Sequence, residues 1–184
     1  MLNVTSVLML IALITFSACK KNEEVNDPNI ADVSYNKLYS VVPGGPPSVD
    51  SIDFNNDGLA EVAIQFVNAG ADTGLVLVAQ KSQTFQVVLQ SLTPVPNAKL
   101  FNKGDDIPTS DPVYYPVTYI STKGSGYRLG VLNGEGYIAF RISTGTKYQY
   151  GWMKVSINSA FTEFKILEYA YSLQYNTPIK VGAK

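Results

Sequence analysis

Five oxygen-bearing side chains fall within nine residues of this chain, in the stretch DFNNDGLAE, and four of them have the spacing of metal ligands. Asp53, Asn55, Asp57 and Glu61 stand at its first, third, fifth and ninth positions, with Gly58 sixth. Hard oxygen donors at that spacing suit Ca²⁺, and the Leu59 carbonyl at the seventh position would add another ligand. A calcium loop also needs a sharp turn with positive φ, which glycine supplies at Gly58. An EF-hand would end on Glu at the twelfth position, where this chain has Ile64. The flanks alternate as strands do, with Val62, Ile64 and Phe66 in phase, so the loop joins two strands and not two helices. A second reading stays open: a plain hairpin turn uses Asn, Asp and Gly because they tolerate left-handed backbone.

The other constellation is aromatic. Tyr148, Tyr150 and Trp152 share one face of a strand at period two, while Met153, Val155 and Ile157 share the other. An exposed row of this kind is a stacking platform for sugar rings. A strand apolar on both faces is equally the pattern of a central core strand.

Enzymatic chemistry finds few parts. The chain has no histidine, which removes Ser-His nucleophiles and His-ligated metals, and no phosphate-binding loop or dinucleotide fingerprint. A pair of carboxylates for glycoside hydrolysis remains open among fifteen scattered acids. With 14 basic and 15 acidic residues, charge gives no case for nucleic acid.

The elements that position these residues read as short strands separated by turns. Expected strands are Tyr35 to Val42, the two flanks of the acidic loop, Leu75 to Ala79, Phe85 to Leu89 and Tyr114 to Ile120. Tyr127 to Leu132, Tyr137 to Ile142, Tyr148 to Ile157 and Thr162 to Tyr171 follow. Turns are expected at Pro43 to Pro47, Gly70 to Gly74 and Asn133 to Gly136. Phe164 and Ile166 keep one phase and Leu167, Tyr169 and Tyr171 the other, a switch that predicts a β-bulge. Pro94 to Pro112, with Asp105, Asp106 and Asp111, is the longest irregular stretch and the place to expect a ligand-facing loop. No segment holds a helical period for three turns. The expectation is an all-β fold: a single antiparallel sandwich, or a barrel-like domain, of about ten short strands.

The first residues carry an apolar run, Val7 to Phe16, of the length of a signal-peptide core and short for a membrane span. Ser17-Ala18-Cys19 follows, ending on the only cysteine of the chain. This junction resembles the lipobox of bacterial lipoproteins, of the tolerant kind found in Bacteroidetes. The resemblance implies a signal peptide over 1–18, lipid on Cys19, and attachment to the outer membrane through acyl chains, of which more than one is needed for durable anchoring. Polar residues 19–32 read as a flexible tether, and Glu23-Glu24 resembles an acidic signal for the cell surface. Removing the first 18 of 184 residues leaves 166, made of the tether and one all-β domain over 33–184, and a globule of about this size buries about 70% of its unfolded surface. With one cysteine, no disulfide forms within the chain.

Two further resemblances concern the domain. The acidic stretch is similar to the short DxDxDGxxD loops of FG-GAP and VCBS repeat proteins, in which two strands flank the ion, although Glu61 stands where those loops end on Asp. The stretches Gly136 to Arg141, Tyr150 to Val155, Glu168 to Tyr171 and Pro178 to Gly182 resemble a series recurring in exported bacterial proteins: "YIGFRF … YGWxxxxV … YAY … PIxxG". An acidic DxNxDG segment is common upstream in the same group. The resemblance implies a shared all-β domain but does not point to an activity. The resulting expectation is a non-enzymatic envelope lipoprotein with a structural or adhesive role and a calcium-binding loop, which would meet a glycan or a cell-surface protein. The alternatives are a carbohydrate-binding lipoprotein serving glycan uptake and, third, a carboxylate glycosidase.

Overall fold

The computed structural model describes residues 27–40, 48–69, 72–79, 85–91, 96–110, 114–123, 132, 134–159 and 163–184. These form twelve strands and no helix: β1 (Ile30–Ser40), β2 (Ser48–Ile52), β3 (Val62–Ala69), β4 (Asp72–Ala79), β5 (Phe85–Ser91) and β6 (Asn97–Ala98), then β7 (Leu100–Phe101), β8 (Tyr114–Tyr115), β9 (Val117–Lys123), β10 (Gly134–Thr144), β11 (Lys147–Ile157) and β12 (Glu163–Ser172). The all-β expectation holds. Three of the twelve are two-residue strands that periodicity cannot reveal. Pro116, which has no N–H to give a ladder, splits the expected strand from Tyr114 to Ile120 into β8 and β9.

The strands join in the order β1-β12-β11-β10-β5-β6-β9-β4-β3-β2, with β7 beside β10 and β8 beside β5. Pairing is antiparallel throughout, apart from one parallel contact of β6 with β9 at Asn97 and Tyr119. The far ends of this path meet through side chains. Ile52, Phe54, Val62 and Ile64 from the first hairpin share one buried cluster with Phe85, Phe140, Phe164, Ile166 and Tyr169. The sheet therefore folds over on itself around this core.

The two faces of β11 behave as its period-two pattern demands. Met153, Val155 and Ile157 enter the main core. Tyr150 and Trp152 enter a second cluster with Val88, Phe101, Ile107, Tyr114 and Val181, and Tyr148 packs against it. The phase switch in β12 is a bulge: Lys154 pairs with Glu168 but Val155 with Ile166, leaving Leu167 as the extra residue. Phe164, Ile166, Tyr169 and Tyr171 consequently all reach the same core.

Some boundaries differ from the sequence reading, among them the turn expected at Gly70 to Gly74, of which Asp72, Thr73 and Gly74 are paired residues of β4. The expected tether over 19–32 overlaps the domain: Ile30, Ala31 and Asp32 pair with Ser172, Tyr171 and Ala170, and the Asp27 N–H donates to the Lys184 carbonyl at 2.8 Å. Backbone bonds hold Asp27 and residues 30–32, so composition gave no sign of their order. Gly134 and Gly136, expected in a turn, lie in β10; a Cβ on Gly136 would stand 2.7 Å from Leu132 Cδ1, so the glycine marks a close approach. The tight turn of that hairpin is Gly145–Thr146, between the paired Thr144 and Lys147, with Gly145 at φ 68°. The strand expected from Tyr127 to Leu132 lies, except for Leu132, outside the described residues, as does the turn expected at Pro43 to Pro47.

Candidate metal centre

The acidic loop begins where β2 ends and closes where β3 begins. Ile52 pairs with Val62, so Asp53 to Glu61 form a nine-residue excursion from the ladder. The Glu61 N–H donates to the Ile52 carbonyl at 3.0 Å and closes its neck. Asn56 at φ 58° and Gly58 at φ 86° take the left-handed conformation that Asn and Gly tolerate best, and these two residues turn the chain back.

The side chains fold inward onto the loop's own amides. Asp53 accepts from the N–H of Asp57 through Oδ1 at 3.2 Å and from that of Gly58 through Oδ2 at 2.7 Å. Asn55 Oδ1 accepts from the Asp57 N–H at 2.9 Å, and Asp57 Oδ1 from the Leu59 N–H at 2.8 Å. Glu61 Oε2 accepts from the Phe54 N–H at 2.7 Å. Asp53, Asp57 and Glu61 thereby each bring a carboxylate oxygen within 4.8 Å of the others, a cluster able to hold a metal ion. Of the residues singled out by spacing, these three meet directly. Asn55 joins them through its bond to Asp57, and Leu59 sits on the rim with its side chain exposed.

Burial polarises the site. Asp53 is half-buried, Asp57 is exposed and Glu61 is only 6% exposed. Loss of solvent raises the Glu61 pKa from its ordinary value; the Phe54 N–H opposes this, and the charges of Asp53 and Asp57 add to it. Tyr171, on the facing β12, is raised as well, by burial and then by the charges of Glu61 and Asp53. Its place beside the loop had no signal in the sequence, because the contact spans more than a hundred residues. The loop also anchors the core. Phe54 stacks on Phe85 at 5.2 Å, lies 4.8 Å from Phe140, and meets Tyr169 edge-on at 4.7 Å.

The aromatic row does not form an open platform. Trp152 is 0% exposed and Tyr150 4%, and Tyr148 is half-buried. The indole N–H donates to the Ala183 carbonyl at 3.2 Å, and Tyr137 meets the indole edge-on at 5.5 Å. Two segments cover this face. One is the stretch expected as a ligand-facing loop, whose described part, 96–110, buries Phe101 and Ile107. The other is the C-terminal segment, which buries Val181. Gly104 donates to the Val181 carbonyl at 2.8 Å and Val181 to the Asp105 carbonyl at 3.0 Å, and Lys180 reaches Asp106 at 2.8 Å. Asp111 lies outside the described residues.

Arg141 had no sequence signal either. It is buried with its guanidinium 4.2 Å from the Tyr114 ring and 4.0 Å from that of Tyr148, and its Nε donates to Gln86 Oε1 at 2.7 Å. Residues 1–26, with Cys19 and the apolar run, lie outside the described residues. No protein-family model, curated protein or solved structure matches the chain.

Proposed function

We propose that this protein is a non-enzymatic lipoprotein of the bacterial envelope, with a structural or adhesive role and a domain stabilised by Ca²⁺ in the Asp53–Glu61 loop. The observation that carries the reading is the convergence of Asp53, Asp57 and Glu61 within 4.8 Å beside a buried core aromatic. Three carboxylates so close repel one another, and a divalent cation converts that repulsion into attraction. The donors are all oxygens, which suits Ca²⁺ better than ions that prefer nitrogen or sulfur. The ion would hold the loop that carries Phe54, and so act on packing instead of on a substrate.

Glycan binding through the row of Tyr148, Tyr150 and Trp152 loses support from the burial of that row. A glycosidase needs two acids opposed across a bound sugar. Among the described residues, the three acids that cluster do so in one loop, with their oxygens shared among its own amides. The membrane half of the proposal rests on the resemblance around Cys19.

Isothermal titration of the chelator-treated protein with CaCl₂ tests the metal reading. One saturable site in the wild type, lost in Asp57→Ala, is the expected result. No binding at millimolar calcium would overturn it.

A further inference from the structure

A recess of about 290 Å³ lies where the start of β1 meets the C-terminal segment. Three exposed side chains on its wall are joined in one relay. Asp27 Oδ1 accepts from both the N–H and the Nδ2 of Asn29, at 2.8 and 3.0 Å, and Asn29 Oδ1 accepts from Gln174 Nε2 at 2.9 Å. Among the described residues, Asp27 Oδ2 and Gln174 Oε1 accept no hydrogen bond from the protein and stand open to solvent, so the relay keeps acceptor capacity. Ile30, Pro178 and Ile179 supply apolar wall. Lys180 also lines the recess, but its ammonium is paired with Asp106.

We propose that this recess binds one ring of a neutral polyhydroxylated ligand, a monosaccharide unit. Hydroxyl groups donate to a carboxylate oxygen and an amide oxygen, and hydrogen bonds to the charged acceptor are the stronger ones. The apolar wall takes the C–H face of a ring, and the Asp27 carboxylate disfavours anions. The volume stands at the lower end of ligand pockets, which limits the occupant to about one ring. This site shares no residue with the metal loop and stands or falls apart from it.

The test uses the full chain in a zwitterionic detergent that carries no sugar. Glucose, galactose, mannose, xylose and N-acetylglucosamine are titrated by saturation-transfer NMR. Saturable binding of at least one, with Kd of about 1 mM, is expected. Asn29→Ala and Gln174→Leu should weaken it by about tenfold or more at unchanged melting temperature. Thr177→Trp, which fills the recess from an exposed position, should abolish it, and Asp57→Ala should bind as the wild type does. The proposal is overturned if none of the sugars binds saturably, or if binding survives in all three recess variants.

Discussion

Glu61 Oε2 accepts the backbone N–H of Phe54 at 2.7 Å, tying the last acid of the loop to the residue whose ring fills the core. The ring of Phe54 touches Phe85, Phe140 and Tyr169, which come from β5, β10 and β12. Phe54 therefore links the Glu61 carboxylate to the core between these strands.

The first prediction concerns pH. Burial and the charges of Asp53 and Asp57 raise the Glu61 pKa above its ordinary 4.5 in the ion-free protein. A raised folded pKa contributes stability that is full below the unfolded value and is lost as pH rises through the folded one. Calcium favours the ionised form and opposes this loss. In chelator, wild-type stability relative to Glu61→Gln should fall as pH rises above about 4.5. In calcium the fall should shrink or reverse. Parallel curves for the two proteins in chelator would remove Glu61 as the cause.

A second prediction follows from Gly151. An added Cβ there would lie 2.5 Å from Phe140 Cζ and 2.6 Å from the Ala170 carbonyl oxygen. Gly151→Ala should cost about 1–3 kcal/mol by overpacking. Urea unfolding measures it, and wild-type stability in the variant would show that the contact is not tight.

Several of these relationships could be read from the chain. The two faces of β11 and the bulge at Leu167 follow from the period of the apolar residues, because a strand fixes side-chain direction by position alone. The acidic loop was legible because its oxygens lie within nine residues. The cover over Trp152 was not legible. It is built from Phe101, Ile107 and Val181 in segments without regular period, joined by backbone bonds between residues 104–105 and Val181. Strand pairing at Ile30 was hidden for a related reason, since ladder bonds are made by the backbone whatever the side chains.

The third prediction uses that cover. Trp152 is the only tryptophan in the chain, so its fluorescence reports the second core alone. Deleting residues 178–184 removes Val181 and the Ala183 carbonyl that accepts from the indole. Emission should shift to the red and acrylamide quenching should rise. Unchanged emission and quenching would mean that the C-terminal segment does not shield the ring.

A fourth prediction concerns Cys19. Metabolic labelling with a fatty-acid probe should tag the wild type and leave Cys19→Ser untagged. Equal labelling of the two would refute lipid attachment at that residue.

The most direct measurement is thermal unfolding of the chain with millimolar calcium and with chelator, in the wild type and Asp57→Ala. Asp57 is the informative position, since replacing Gly58 at φ 86° would strain the turn with or without an ion. The absence of Glu at the twelfth position suggests a Kd of about 10⁻⁴ M, toward the weak affinities of extracellular modules. Such a site adds about 1.4 kcal/mol at about 1 mM free calcium by mass action. That corresponds to a rise in Tm of about 3–6 °C for a domain of this size. The account predicts this rise in the wild type and its disappearance in Asp57→Ala. A melting temperature indifferent to calcium in both proteins would contradict it and leave the loop as a hairpin connection alone.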